Sequence, residues 1–82
     1  MGTKDLREAF NTAADGFFTC SVALLDYERV DGVEWQRLTF SGSAADGSAF
    51  STQSGLIPAK SNVTQAARDT AVALIDKGKT AP

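Results

Sequence analysis

The spacing of apolar residues changes abruptly after Gly16, and this change constrains the fold more than any other feature. Before Gly16, apolar residues recur at the spacing of one helix face, at Leu6, Phe10, Ala13 and Ala14. After Gly16, apolar and polar residues alternate, as they do along a half-buried strand. The sequence therefore predicts a helix over about residues 4–15, ended by Gly16 in the left-handed conformation, and then a sheet.

Three strands are predicted, over residues 17–30, 34–43 and about 48–54. The alternation predicts that one face of the first strand is buried, with Phe18, Cys20, Val22 and Leu24. The serine-rich and threonine-rich third strand is the most polar, which favours a place at an edge of the sheet.

The first hairpin needs a register that places the apolar side chains of its two strands on the same, buried face. Pairing Leu24 with Leu38 and Val22 with Phe40 does so, and it leaves a loop of about five residues around the Asp31-Gly32 turn signal. In this register Tyr27 pairs with Trp35 and Leu25 with Arg37, all four on the face away from the helices.

The second hairpin has a loop at residues 45–47. A three-residue loop with Gly47 in the left-handed region sets Phe50 opposite Gly42 on the buried face. A two-residue loop would move Phe50 to the other face, so we expect the three-residue loop.

A second helix is predicted after Ser61 or Asn62, either of which can cap it, and Asn62 with Gln65 has the spacing of a capping box. Its apolar stripe contains Val63, Ala66, Ala67, Thr70, Ala71, Leu74 and Ile75. Lys77 and Gly78 are typical of a helix end, so residues 79–82 are expected to be a frayed tail.

These elements predict one domain over residues 1–82 with an α+β fold. The order is helix, three antiparallel strands, helix, and both helices cover one face of the sheet in a two-layer sandwich.

The inventory of side chains argues against an enzyme and against a bound metal or cofactor. The chain has no histidine, the usual general base near neutral pH, and one cysteine, too few for a disulfide within the chain or a multi-cysteine zinc site. It contains no phosphate-binding loop, dinucleotide-binding turn or nucleophile elbow. Cys20 is in phase with the apolar row, so we expect a buried, unreactive thiol.

The negative charge is concentrated in one segment. Residues 26–34 carry -3, from Asp26, Glu28, Asp31 and Glu34 against Arg29, in a chain whose net charge is -2. Such a segment is either a solvated turn that aids solubility or an acidic surface that docks a basic partner.

Aromatic and apolar residues lie beside the acidic segment. Leu25, Tyr27, Val33 and Trp35, with Arg37, would form a patch on the open face of the sheet, and tyrosine, tryptophan and arginine often anchor interfaces. The patch could contact another protein or a second copy of the chain in a homodimer. The alternative is a bulge near Leu24 and Leu25, which would rotate Trp35 to cap the core.

The order of elements resembles that of the double-stranded-RNA-binding domain. That family holds RNA largely through a basic cluster at the start of its second helix, and this resemblance implies nucleic-acid binding through Lys60, Arg68 and Lys77. The matching stretch, residues 59–67, has Lys60 as its one basic residue, and the loop between the first two strands is acidic. A nucleic-acid footprint is normally basic, so this function is the alternative.

We therefore expect a small, cytoplasmic, non-enzymatic protein-binding module. Similar size and charge are found among inhibitors such as anti-CRISPR proteins and among immunity proteins, which implies a stoichiometric inhibitor of a nucleic-acid-handling complex. The chain has no apolar run long enough to cross a membrane and no apolar leader at its start, so we expect no membrane partner.

Overall fold

A helix, three strands, a very short fourth strand and a second helix follow one another in the computed structural model, which describes residues 3–80. Their bounds are α1 Thr3–Ala14, β1 Phe18–Val30, β2 Val33–Ala44, β3 Ala49–Gln53, β4 Ile57–Pro58 and α2 Val63–Thr80. The strand β2 lies in the middle of the sheet, with β1 on one side and with β3 and β4 on the other, all antiparallel. The predicted order is confirmed, and β4 is an addition that the sequence analysis missed.

Both helices pack on the same face of the sheet, which confirms the α+β class. The side chain of Phe10 in α1 stacks on Phe40 of β2, with 4.6 Å between ring centroids. The helix α2 contributes small residues, Ala67 and Ala71, which let it lie close to α1. The buried core consists of Leu6, Phe10, Ala14, Cys20, Ala23, Leu38, Phe40, Ala67 and Ala71.

The second hairpin follows the prediction. Phe50 lies opposite Gly42, and the three-residue loop ends with Gly47 at a φ of 89°. The Asp46 carboxylate accepts hydrogen bonds from the hydroxyl and the N–H of Ser48, which lower the pKa of Asp46.

The predicted register of the first hairpin is wrong by one residue. A bulge between Cys20 and Val22 shifts the strand, so that Ala23 lies opposite Phe40 and Leu25 opposite Leu38. Because side chains alternate along a strand, this shift turns Val22 and Leu24 away from the core, where they are half exposed.

The turn of the first hairpin is also shorter than predicted. Val30 pairs with Val33, so the loop is the two residues Asp31 and Gly32 rather than about five. Both have positive φ, 51° and 79°, as a turn matched to the twist of a hairpin requires.

Two contacts hold the bulge. The amide group of Asn11 in α1 accepts a hydrogen bond from the N–H of Cys20 at 2.7 Å and donates one to its carbonyl at 3.3 Å. Opposite Cys20, Gly42 leaves room for the bulged backbone, since a Cβ there would collide with the carbonyl of Thr19 and lie 2.9 Å from the N of Ser21. The bulge therefore depends on the side chain of Asn11 and on the lack of a side chain at Gly42.

The second helix begins as predicted and ends later. The side chain of Asn62 accepts a hydrogen bond from the N–H of Gln65, as an N-cap does, but the side chain of Gln65 bonds to Asp69 and Arg68 instead of completing a capping box. The helix continues to Thr80, so residues 79 and 80 of the expected tail are helical, and residues 81 and 82 lie outside the described part.

We expect Gly42→Ala to destabilise the protein by about 1–3 kcal/mol, because the added methyl group has no space beside the bulge. Gly55→Ala is the matched control, since nothing lies within 4 Å of its added Cβ, and it should change stability little. Urea unfolding followed by circular dichroism measures both. Equal stabilities of the two variants would contradict the packing described for Gly42.

We expect Asn11→Ala to cost about 1–3 kcal/mol, because it removes both partners of the partly buried Cys20 peptide groups. Thr12→Ala, at the exposed neighbouring position, should cost far less. Amide hydrogen exchange gives the second measurement: the N–H of Cys20 should exchange faster in Asn11→Ala than in Thr12→Ala.

Candidate partner-binding site

The end of the first hairpin extends beyond the helices. Every residue from 26 to 34 is exposed, and this segment is named the hairpin arm. Tyr27 is 69% exposed, and Val30 and Val33 beside the turn are close to half exposed. The arm therefore presents apolar and aromatic surface that the fold does not use.

One face of the sheet carries no helix and is named the open face. Pairing and alternation place there Val22, Leu24, Asp26, Glu28 and Val30 of β1 and Val33, Trp35, Arg37, Thr39 and Ser41 of β2. Trp35 pairs with Glu28 of β1 on one side and with Pro58 of β4 on the other, and it is partly buried. The open face is thus apolar at its two ends, with charged residues between them.

The shift in register separates the residues of the predicted patch. Leu25 lies opposite Leu38 and packs against the core, so its predicted place on the open face opposite Arg37 is wrong. Tyr27 lies opposite Gln36 instead of Trp35. Its side chain is on the face of the sheet that bears the helices, but at a position that the helices do not cover, so it is exposed. The two aromatic residues therefore lie on opposite faces of the hairpin.

The other predicted site residues do lie together. Asp26, Glu28, Asp31, Val33 and Glu34 are all exposed on the arm. The bulge lies at Cys20 to Val22 rather than near Leu24 and Leu25, and Trp35 remains on the open face, so it does not cap the core.

Two ion pairs cross the hairpin, one on each face. Arg29 and Glu34 are joined at 2.9 Å on the helix-bearing side, and Arg37 approaches Glu28 at 3.6 Å on the open face. Within the described residues, the carboxylates of Asp26 and Asp31 lie in no ion pair. The excess negative charge of the arm is thus exposed at these two residues, outside any ion pair.

The three basic residues of the alternative site do not form one patch. Lys60 is exposed in the turn before α2, and the guanidinium of Arg68 bonds to Gln65 on the same helix. Arg68 and Lys77 are nine positions apart, which places them about 180° apart around the helix.

A groove of about 390 Å³ runs between α2 and the edge formed by β3 and β4. Its lining includes Ser54 and Thr70, whose hydroxyls already bond within the protein, to the carbonyls of Gly55 and Ala66. No buried side-chain nitrogen or oxygen of the described residues lacks a hydrogen-bond partner.

The thiol of Cys20 is buried beneath α1, and burial raises its pKa. It contacts the carbonyl of Val22 at 3.2 Å, inside the bulge. Across residues 3–80, no cluster of three or more potential metal ligands occurs, and no helix has both the length and the apolar character needed to cross a membrane.

No protein family, characterised protein or solved structure matches the chain, so the fold and the site rest on their own geometry. The resemblance to the double-stranded-RNA-binding domain is accordingly limited to the order of the elements. The residues that the sequence analysis missed are Val22 and Leu24, for which the adjacent apolar pair Leu24 and Leu25 was the available signal, since one of two neighbours must face outward.

We expect Tyr27→Ala to change the free energy of unfolding by less than about 0.5 kcal/mol, because the side chain is largely solvated. Trp35→Ala should cost more, about 1–2 kcal/mol, because Trp35 lies within the paired strands and is partly buried. Thermal unfolding of both variants measures the difference. A large loss in Tyr27→Ala would show that Tyr27 belongs to the folded core.

Proposed function

We propose that this protein is a non-enzymatic binding module that docks a basic protein partner through the hairpin arm and the adjoining open face. The observation that carries the proposal is the arm itself, nine consecutive exposed residues that expose apolar and acidic side chains together. A solvated turn needs charge but gains nothing from exposing Tyr27, Val30 and Val33, whereas an interface uses such residues as its contact area.

The distribution of charge supports a basic partner. Residues 26–37 hold four acidic and two basic residues and so carry the whole net charge of -2, and the rest of the chain is neutral. A field concentrated at one end orients the protein as it approaches a positive surface and raises the association rate.

Proteins that handle nucleic acids offer such surfaces, since they hold phosphates with lysine and arginine. We propose that the arm occupies a surface of this kind and that the protein acts as a stoichiometric inhibitor. The proposed location is the cytoplasm, where a single unpaired thiol such as that of Cys20 stays reduced.

The arm should bind its partner more slowly when the two carboxylates that lie outside ion pairs, Asp26 and Asp31, are neutralised. In the double variant Asp26→Asn with Asp31→Asn, the association rate should fall about tenfold, and most of that difference should vanish at high salt. Asparagine tolerates the positive φ at position 31, so the turn is kept. The matched control is Glu8→Gln with Asp76→Asn, which removes the same charge from exposed helix positions.

The measurement has two stages. Proteins captured from the native host by wild-type, arm and control variants are compared first, and the candidate partner is then purified and its binding followed by surface plasmon resonance at several salt concentrations. Equal binding by the arm and control variants would contradict the proposal. Gel shifts with duplex RNA and DNA at low salt test the alternative, and salt-sensitive binding that depends on Lys60 would favour it.

A further inference from the structure

The outer edge of β1 exposes main-chain groups near its distal end. The N–H of Leu38 donates to the hydroxyl of Ser54, and the carbonyl of Leu38 accepts from the N–H of Ser54, so the backbone of Leu38 points toward β3. Leu25 lies opposite Leu38, and in an antiparallel pair of this kind its own N–H and C=O must point away from β2.

The same argument applies near the turn. The carbonyl of Glu34 accepts a hydrogen bond from the N–H of Ala59 at 3.3 Å, so the main-chain groups of Glu34 point toward β4. The main-chain groups of Arg29, which lies opposite Glu34, therefore point away from β2. Tyr27 lies midway between Leu25 and Arg29 and has the same orientation. Three residues thus offer six main-chain groups along an edge where the described chain places no strand.

Among residues 3–80, α1 is the element that covers this edge, and it does so near Cys20 and Ser21. Asn11 bonds to both main-chain groups of Cys20, and Arg7 bonds to the carbonyl of Ser21 at 3.4 Å. Ala23 is buried, and beyond Leu25 the edge is exposed. An open strand edge is a template for an added strand.

We propose that the edge of β1 from Leu25 to Arg29 binds an extended basic segment of the partner protein as an additional strand of the sheet. This inference rests on the proposed function and specifies its ligand. Along the open face this edge presents, in order, Leu24, Asp26, Glu28 and Val30. Because directly opposed side chains of paired strands interact, the complementary segment has the pattern apolar-x-basic-x-basic-x-apolar.

The charges argue against a second copy of the chain as the occupant. The one symmetric register that uses the whole open edge is centred on Tyr27, and it sets Asp26 of each copy opposite Glu28 of the other. Like charges directly opposed across strands are destabilising. Arg37 on this face already pairs with Glu28 of its own chain at 3.6 Å and leaves Asp26 without an ion pair, and Arg29 is on the other side of the sheet. The pattern therefore favours a basic partner.

The decisive comparison is Tyr27→Pro against Tyr27→Ala. Both variants lose the same exposed side chain, but only proline loses the outward N–H, and its ring obstructs an added strand. We expect Tyr27→Ala to weaken partner binding through its lost contact area, and Tyr27→Pro to bind at least about tenfold more weakly than Tyr27→Ala. Similar affinities of the two folded variants would overturn strand addition.

A defined peptide tests the same edge without the partner. The probe is Val-Thr-Lys-Thr-Lys-Thr-Val with blocked ends, and its control replaces both lysines by glutamates. In wild-type protein the lysine peptide should slow hydrogen exchange at the N–H groups of Leu25, Tyr27 and Arg29, measured by NMR. The N–H groups of Asp26 and Glu28, which point toward β2, should be protected throughout.

The outcomes separate this inference from the proposed function. If neutralising Asp26 and Asp31 weakens partner binding while Tyr27→Pro binds like Tyr27→Ala, the arm is the docking surface and strand addition is wrong. If the glutamate peptide protects the same three N–H groups as well as the lysine peptide does, the charge complementarity is wrong. Concentration-dependent protection in the absence of peptide, with dimers in sedimentation, would identify a second copy as the occupant and overturn the inference.

Discussion

The bulge at Cys20 to Val22 is the constraint on which the rest of the structure depends. It adds one residue to β1, so that Cys20 before it and Ala23 and Leu25 after it face the same side. Without the bulge, Val22 would continue the row that Cys20 begins and Ala23 would point to solvent. Gly42 provides the space and Asn11 provides the hydrogen bonds, so the helix and two strands together determine which side chains form the core.

This dependence explains which parts of the fold could be predicted from the sequence. The second hairpin was predictable because Gly47 can take the left-handed position of the loop and Phe50 must face the core. A three-residue loop satisfies both conditions. The first hairpin was not, because Asp31-Gly32 is compatible with either a two-residue turn or a longer loop, and alternation alone cannot locate an extra residue. The signals for the bulge, Asn11 and Gly42, are distant in sequence and gain meaning only once α1 lies on the sheet.

The candidate site was predicted in part for the same reason. The acidic residues were located correctly because any hairpin tip exposes its side chains, whatever the register. The predicted patch of apolar and aromatic residues on the open face was not located correctly, because a shift of one residue changes the face on which Leu25 and Tyr27 lie. The lengths of the elements predict the exposed arm independently of the register. The 13 residues of β1 extend about 43 Å, whereas the 12 residues of α1 extend about 18 Å, so the hairpin must extend beyond the helix.

The hairpin arm has a defined backbone conformation although neither helix covers it. Its two-residue turn has the φ values that a twisted hairpin requires, and the pairs Arg29–Glu34 and Glu28–Arg37 join its strands on opposite faces. A surface ordered before binding loses less conformational entropy when a partner arrives, which favours affinity. In the proposed complex, the carboxylates that would repel a second copy along the β1 edge attract a basic strand, so one pattern of charge would both limit self-association and select the partner.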